Sequence, residues 1–380
     1  MKKLILNLIV GNEDPRIFKR CLESWKPYVD DIIVGFNGDD IKIEELLKEY
    51  KCNYFKSKWE NNFSKARNEV LDKTPNDCLV AWCDSDDILI GGEKLKESLE
   101  LAFSVPDIIG LACEWYYAHD NNGNCTASLW RERIVLRDLH KWIPNPAHET
   151  LEAIDNKNGV IVTIDDIKIK HLATHQKMAR TGQRNLNIIK EQYYDEAKVG
   201  KLTSKTVFDI ARSYEGVGEF DKAIEKFKDY IKMGISDEEK SIAYTTMGEI
   251  YRFQKKYEES LKSFIEVMLY GSNIPDGYVD YAFTLFLQEK YHPCRVFLEM
   301  SFKFPPCKSF PIDPTKYSLK PMKLLGVCYL MEGKYKEAIA CAEYVLTKMK
   351  DEPVMLNVVK ISKESIKELE DFDKAKKDEK

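Results

Sequence analysis

The second half of the chain repeats one arrangement of small and aromatic residues, and this repetition limits what that half can fold into. Val207 to Tyr214 is followed by Gly218, Phe220, Ala223 and Phe227. A second copy runs through Tyr244, Met247, Gly248, Tyr251, Tyr257, Ser260 and Phe264. A third runs through Leu325, Gly326, Tyr329, Gly333, Tyr335, Ala338 and Ala342, and a worn copy with Tyr278, Ala282, Leu285, Tyr291, Cys294 and Leu298 lies between them. Small residues let two helices cross closely, and aromatics fill the holes between them. A single such pair cannot bury its apolar face alone, so the copies must stack. An irregular helical bundle is the alternative, but the recurring tight turns argue against it. Pro305 through Pro314 reads as an insertion before the last clear copy. The charged stretch from Lys363 reads as a capping helix or a frayed end.

The first half has a different rhythm. Strand-like runs at Lys3–Val10, Asp31–Gly35, Cys52–Lys56 and Leu79–Cys83 alternate with helical spacing at Pro15–Trp25, Ile43–Tyr50 and Ser64–Asp72, with Ser64 a candidate N-cap. This alternation predicts an α/β domain with a mainly parallel sheet covered on both faces. Ile108–Ala112, Ser128–Leu136 and an edge-like Ile161–Ile169 complete it, with an Asn121-Asn122-Gly123 turn between the first two. The expected organisation is 1–190 for the α/β domain, 191–350 for the helical repeats and 351–380 for the terminal helix or tail.

Composition narrows the function classes. The 58 Lys and Arg against 63 Asp and Glu give a formal charge of −5, with no global drive toward nucleic acid or an anionic membrane. No apolar run reaches the length of a transmembrane helix. Asn7 and the Gly11-Asn12-Glu13-Asp14 stretch make the start read as a buried strand in place of a signal peptide. The ten cysteines form no CxxC pair, which points away from a zinc knot and toward a reducing, cytoplasmic setting.

Several side chains carry candidate chemistry. Asp84 and Asp86, followed by Asp87, leave the apolar run Cys78–Trp82. Ligands on such sheets bind beyond the carboxyl ends of strands. With a bend, both carboxylates can approach one hard cation, Mn²⁺ or Mg²⁺, which can hold a diphosphate; otherwise the run is an acidic surface turn. His148 and Glu149 follow the rigid Trp142–Pro146 loop. Glu149 can act as a general base and His148 can orient it or bind a phosphate; the other reading is a solvent-facing helix start. His171 ends an alternating run and can complete a metal site, while His175 has less support. Arg131, Arg133 and Arg137 form a basic strand-like stretch, with Arg131 and Arg133 on one face, that either binds donor phosphates or an anionic acceptor or is surface charge, and Lys65, Arg67 and Asn68 pose the same choice.

Taken together, IVGNEDPRIFKRCLES, WENNFSKARN, CDSDD, PAHET and IKIKH resemble a family 2 glycosyltransferase of the GT-A fold over residues 1 to about 190, and the helical copies resemble tetratricopeptide repeats. The resemblance implies a nucleotide-diphospho-sugar transferase domain followed by an all-α repeat domain. It implies donor contacts at Val10, Asn12, Arg67, Asp84 and Arg131, metal ligation by Asp86 and His171, and a base at Glu149 assisted by His148. The aspartate that binds uracil in many relatives is matched here by Phe36. Either Asp39 or Asp40 substitutes for it, or Phe36 marks changed base recognition. The implied reaction is inverting transfer from a nucleotide sugar, expected to be a UDP-sugar, to a peptide, protein or saccharide acceptor. Some similar bacterial enzymes glycosylate peptide cysteines. The repeats can hold an acceptor or pair two subunits as a homodimer. A non-catalytic repeat adaptor and a nucleotidyltransferase are the competing readings.

Overall fold

Short apolar strands separated by amphipathic helices build an eight-stranded sheet in the computed structural model, which describes residues 2–120, 123, 125–154, 159–172, 175–271, 275–305 and 313–378. The strands are β1 (Leu4–Val10), β2 (Asp31–Phe36), β3 (Asn53–Lys56), β4 (Leu79–Trp82), β5 (Asp87–Ile90), β6 (Ile108–His119), β7 (Cys125–Leu136) and β10 (Val160–His171), in the order β3-β2-β1-β4-β7-β6-β10-β5. A separate hairpin pairs β8 (His140–Ile143) with β9 (Thr150–Ala153). The first four strands in spatial order, β3-β2-β1-β4, are mutually parallel. Beyond them β7 runs antiparallel to both of its neighbours, so the sheet is mixed.

The continuous apolar sequence of β1 follows from burial on both faces. Leu4, Leu6, Leu8 and Val10 share a core with Phe18, Leu22 and Trp25 of helix α1 (Pro15–Trp25) and with Ile43 and Leu47 of α2 (Ile41–Glu49). Ile5 faces the other way, with Val70 and Leu71 of α3 (Phe63–Asp72) and with Trp82 and Trp142. Each such side chain contributes about 1.5–3 kcal/mol on burial. Because β1, β2 and β4 are parallel, Val10, Phe36 and Trp82 end at the same edge of the sheet, where the acidic run begins.

Two local expectations are corrected. The N-cap of α3 is Asn62, whose side-chain oxygen accepts from the Lys65 N–H at 2.8 Å; Ser64 instead accepts from the Asn145 N–H at 3.0 Å. Strand β10 is an edge over its first half only: residues 160–164 pair with β6 alone and Val160 and Ile161 are exposed, whereas residues 168–170 lie between β6 and β5 and Ile167 and Ile169 are fully buried in the core. The Asn121-Asn122-Gly123 turn and the Pro305–Pro314 loop fall largely outside the described residues.

The chain divides into two compact units, one of residues 1–226 and the other of residues 227–308 and 312–380. After α4 (Leu95–Ala102), the first unit ends with α5 (His175–Lys198), α6 (Ser204–Gly216) and the start of α7 (Phe220–Ile231). The second holds the pairs α8/α9 (Asp237–Phe253, Tyr257–Tyr270), α10/α11 (Pro275–Leu287, Tyr291–Ser301) and α12/α13 (Leu319–Met331, Tyr335–Lys348), followed by α14 (Pro353–Asp378). No described helix is long and apolar enough to cross a membrane.

One turn recurs in four hairpins. Gly218, Lys255, Glu289 and Gly333 all have left-handed backbone, with φ of 79°, 59°, 58° and 72°, and each lies two residues before its second helix starts. The residue after each of them donates its N–H to the carbonyl of Tyr214, Tyr251, Leu285 or Tyr329, the same helix-ending bond every time. Small residues keep equivalent places: Ala223, Ser260, Cys294 and Ala338 are all fully buried. Gly248 is required by close approach, since a Cβ there would lie 2.7 Å from the Phe264 ring. In the second unit the buried Lys316 ammonium lies among Glu249 (3.2 Å), Asp276 (3.6 Å) and Asp280, a structural ion cluster.

Left-handed backbone costs a side chain about 1 kcal/mol that glycine avoids. Gly333→Ala should therefore lower stability by about 1 kcal/mol, whereas Glu289→Gly should be neutral or stabilising. Urea unfolding of both variants checks this, and an equal loss in the two would contradict a shared turn.

Candidate metal centre and active site

The acidic run is folded into a tight turn at the carboxyl end of β4. The Asp87 N–H donates to the Asp84 carbonyl at 3.0 Å, and the Asp84 N–H donates to Asp87 Oδ2, also at 3.0 Å. Strand β5 starts at Asp87 and pairs antiparallel with the end of β10, in a register that sets Asp87 directly opposite His171. This brings His171 to the turn although it lies 84 residues further along the chain. Asp84, Asp86, Asp87 and His171 then offer ligand atoms that all lie within 4.8 Å of one another. Asp86 and Asp87 are buried, and Asp84 keeps 33% of its side-chain exposure. Hard carboxylate oxygens with one imidazole nitrogen suit Mn²⁺ or Mg²⁺.

Two arginines balance this charge. Arg67, buried on α3, donates through Nε to Glu149 Oε1 at 2.6 Å and through a terminal nitrogen to Asp84 Oδ1 at 2.5 Å. Its guanidinium carbon lies 4.7 Å from the Trp82 ring and 4.9 Å from the Trp142 ring, and the two rings meet edge to face at 4.8 Å. Arg133, fully buried, lies 4.0 Å from Trp82 and 4.8 Å from Trp115, with Asp87 Oδ2 at 3.6 Å. Burial would raise the Asp84 carboxyl, but Arg67, Arg133 and His171 outweigh it and hold it at about 2. Burial would likewise lower the His171 imidazole. The Asp87 hydrogen bond and the neighbouring Asp86 and Asp84 carboxylates outweigh this and raise it to about 9.

The loop that carries Glu149 is anchored from two helices. The α3 residue Asn68 exchanges two hydrogen bonds with the Trp142 backbone, at 2.9 and 3.0 Å, and the Phe63 N–H donates to the Pro146 carbonyl. From α6, Lys205 donates to the His148 carbonyl at 3.1 Å, and Asp209 accepts from Asn145 at 3.3 Å. Arg131 donates to the Glu149 carbonyl at 3.2 Å. His148 itself is exposed, on left-handed backbone at φ 58°.

The expected donor residues fall into separate groups. Asn12 and Asp39 clasp each other just beyond β1 and β2: the Asn12 amide donates to Asp39 Oδ1 at 2.8 Å, and the Asp39 N–H donates to Asn12 Oδ1 at 2.9 Å. Gly38 is obligatory there, because a Cβ would run into Asn12 and the Gly11 backbone. Val10 is buried in the core beside this clasp, and Phe36 is fully buried with Lys56 over its ring at 3.7 Å. The side chain of His175 lies outside the described residues.

Two members of the site carry no sequence signal of their role. Asp87 reads only as a neighbour of Asp86, and Arg133 reads as a phosphate ligand or a surface charge. Arg133 is instead enclosed in the sheet. It is the extra residue of a β-bulge, since Ile134 pairs with Leu111 and Glu132 pairs with Ala112. The apolar Ile134-Val135 that follows was the one sequence sign of its burial.

Residues 9–161 match the glycosyl transferase family 2 model. This N-terminal unit therefore has a family 2 glycosyltransferase-like α/β fold, with a clustered Asp/Asp/Asp/His site consistent with metal-dependent catalysis. No curated protein matches the chain. Among solved structures, MamA is 15% identical with a TM-score of 0.37, covering 47% of this chain and 97% of that one. YrrB, described as a TPR protein with an unusual peptide-binding site, is 13% identical with a TM-score of 0.34, covering 46% and 91%. The first TPR domain of human RPAP3 is 16% identical with a TM-score of 0.29, covering 34% and 95%. The assignment of an all-α repeat region rests on the four equivalent hairpins.

A carboxyl held below its unfolded value contributes stability that is complete above about pH 4 and lost as pH falls toward 2. Arg67→Met should cost about 3 kcal/mol at pH 7 by leaving Asp84 and Glu149 unpaired. Its deficit should shrink at pH 3. Denaturant unfolding at the two pH values measures this, and an unchanged deficit would count against the Arg67–Asp84 pair.

Proposed function

We propose that the chain is a metal-dependent inverting glycosyltransferase that takes a sugar from a nucleoside-diphosphate donor, a UDP-sugar in the first instance, and passes it to a peptide, protein or saccharide acceptor. The observation that carries this reading is the cluster in which Asp84 and Asp86, at the carboxyl end of β4 and inside the segment that matches the family, meet His171, which ends β10 ten residues beyond that segment. A divalent ion held by Asp86 and His171, with Asp84 beside it, would neutralise the charge that grows on the diphosphate as the sugar leaves. The Asn12–Asp39 clasp lies at the same sheet edge and is the proposed nucleoside side of the donor site. Glu149 is the proposed base for the acceptor. Arg67 engages its Oε1 and so fixes the carboxylate, and Oε2 takes the acceptor proton. Arg131 holds the Glu149 backbone, and His148 lies at the exposed start of the same segment.

Incubation with Mn²⁺ and a panel of nucleotide sugars should release nucleoside diphosphate, and Asp86→Ala should abolish that release. Glu149→Gln should lower kcat by about 10²–10⁴-fold while donor affinity is retained. A pyrophosphate product would instead point to nucleotidyl transfer, and no binding or turnover across the panel would favour a repeat adaptor.

A further inference from the structure

Four side chains are close enough to hold an ion, but they are not equivalent. Both oxygens of Asp87 are already engaged by the protein. Oδ1 accepts from His171 Nδ1 at 2.8 Å and from Trp115 Nε1 at 3.1 Å, and Oδ2 accepts from the Asp84 N–H at 3.0 Å and faces Arg133 at 3.6 Å. Asp87 is fully buried, so water offers no substitute for these donors. A carboxylate oxygen accepts, so the hydrogen of this bond lies on His171 Nδ1, which also faces Asp86 Oδ1 at 3.6 Å, and Nε2 is the nitrogen left to bind a cation. The Trp115 ring also meets the imidazole edge to face at 5.6 Å, so the ring is held on two sides.

We propose that Asp87 is a positioning carboxylate and not a metal ligand: it anchors His171 through Nδ1 so that Nε2 is offered to the ion, and Arg133 and Trp115 hold Asp87 for that task. This rests on the reading of the cluster as a divalent-metal site. Ligation then falls to Asp86 and His171, with Asp84 beside the ion, and the arginine in the bulge of β7 acts on the ion at two removes. A hydrogen-bonded carboxylate behind a ligating imidazole fixes its tautomer and orientation, and losing such a partner costs about 10–100-fold in metal affinity.

The test is Mn²⁺ titration of the full chain followed by electron paramagnetic resonance, with the imidazole-nitrogen coupling of the bound ion as a second readout. Wild type should show that coupling, and His171→Ala should lose it. Asp87→Asn should bind Mn²⁺ about 10–100-fold more weakly and lose or weaken the coupling. Trp115→Phe, which removes one donor and keeps the packing, should shift both readouts in the same direction by less. Thermal melting identifies any variant that fails to fold, and if Asp87→Asn does, Trp115→Phe decides. The proposal is overturned if Asp87→Asn abolishes binding as fully as Asp86→Ala, or weakens binding while leaving the nitrogen coupling of the bound ion intact, since Asp87 would then be a ligand. It is equally overturned if Asp87→Asn leaves affinity and coupling unchanged. Failure of wild type to bind Mn²⁺ or Mg²⁺ would remove the metal reading itself, a result distinct from either.

Discussion

Three carboxylates at the end of one buried strand repel one another, and burial makes that repulsion expensive. The first unit meets the problem with two buried guanidiniums set against the same indole. Arg67 lies over Trp82 from α3 and engages Asp84 and Glu149; Arg133 lies over Trp82 from β7 and faces Asp87. The acid turn, the loop with the proposed base and the late histidine all depend on these two cations. The arrangement also separates their duties. One arginine joins the proposed metal site to the proposed base, and the other stiffens the side of the site away from it.

The residues that carry the proposed chemistry were legible because they follow strong local signals. An apolar run ending in spaced acids, a rigid Pro-containing loop before His148-Glu149 and an alternating run ending at His171 can each be read from a few neighbouring residues. What joins them could not be read that way. The meeting of His171 and Asp87 is a matter of strand register between distant segments, and the burial of Arg133 depends on a bulge that re-aims one side chain. Arg67 looked like a donor contact or a surface charge, because nothing local announces that its guanidinium is enclosed by two tryptophans.

The repeats show the same division. The small and aromatic positions gave the helix pairs directly from the sequence. Two of the four turns hid their conformation, because Lys255 and Glu289 stand where Gly218 and Gly333 stand in the others. Backbone bonding keeps the turn common to all four even where the residue best suited to it is absent.

The β5–β10 ladder has a consequence for how this site can diversify. It ties His171 to Asp87 by backbone pairing, so everything between residues 91 and 167 forms a loop whose two ends are fixed on each other beside the ion-binding turn. That loop also carries Trp115, Arg133 and Glu149, which bind Asp87 and Arg67. Its freedom to change is therefore confined to hairpin tips remote from those three residues, and the clasp and the loop it closes must vary together.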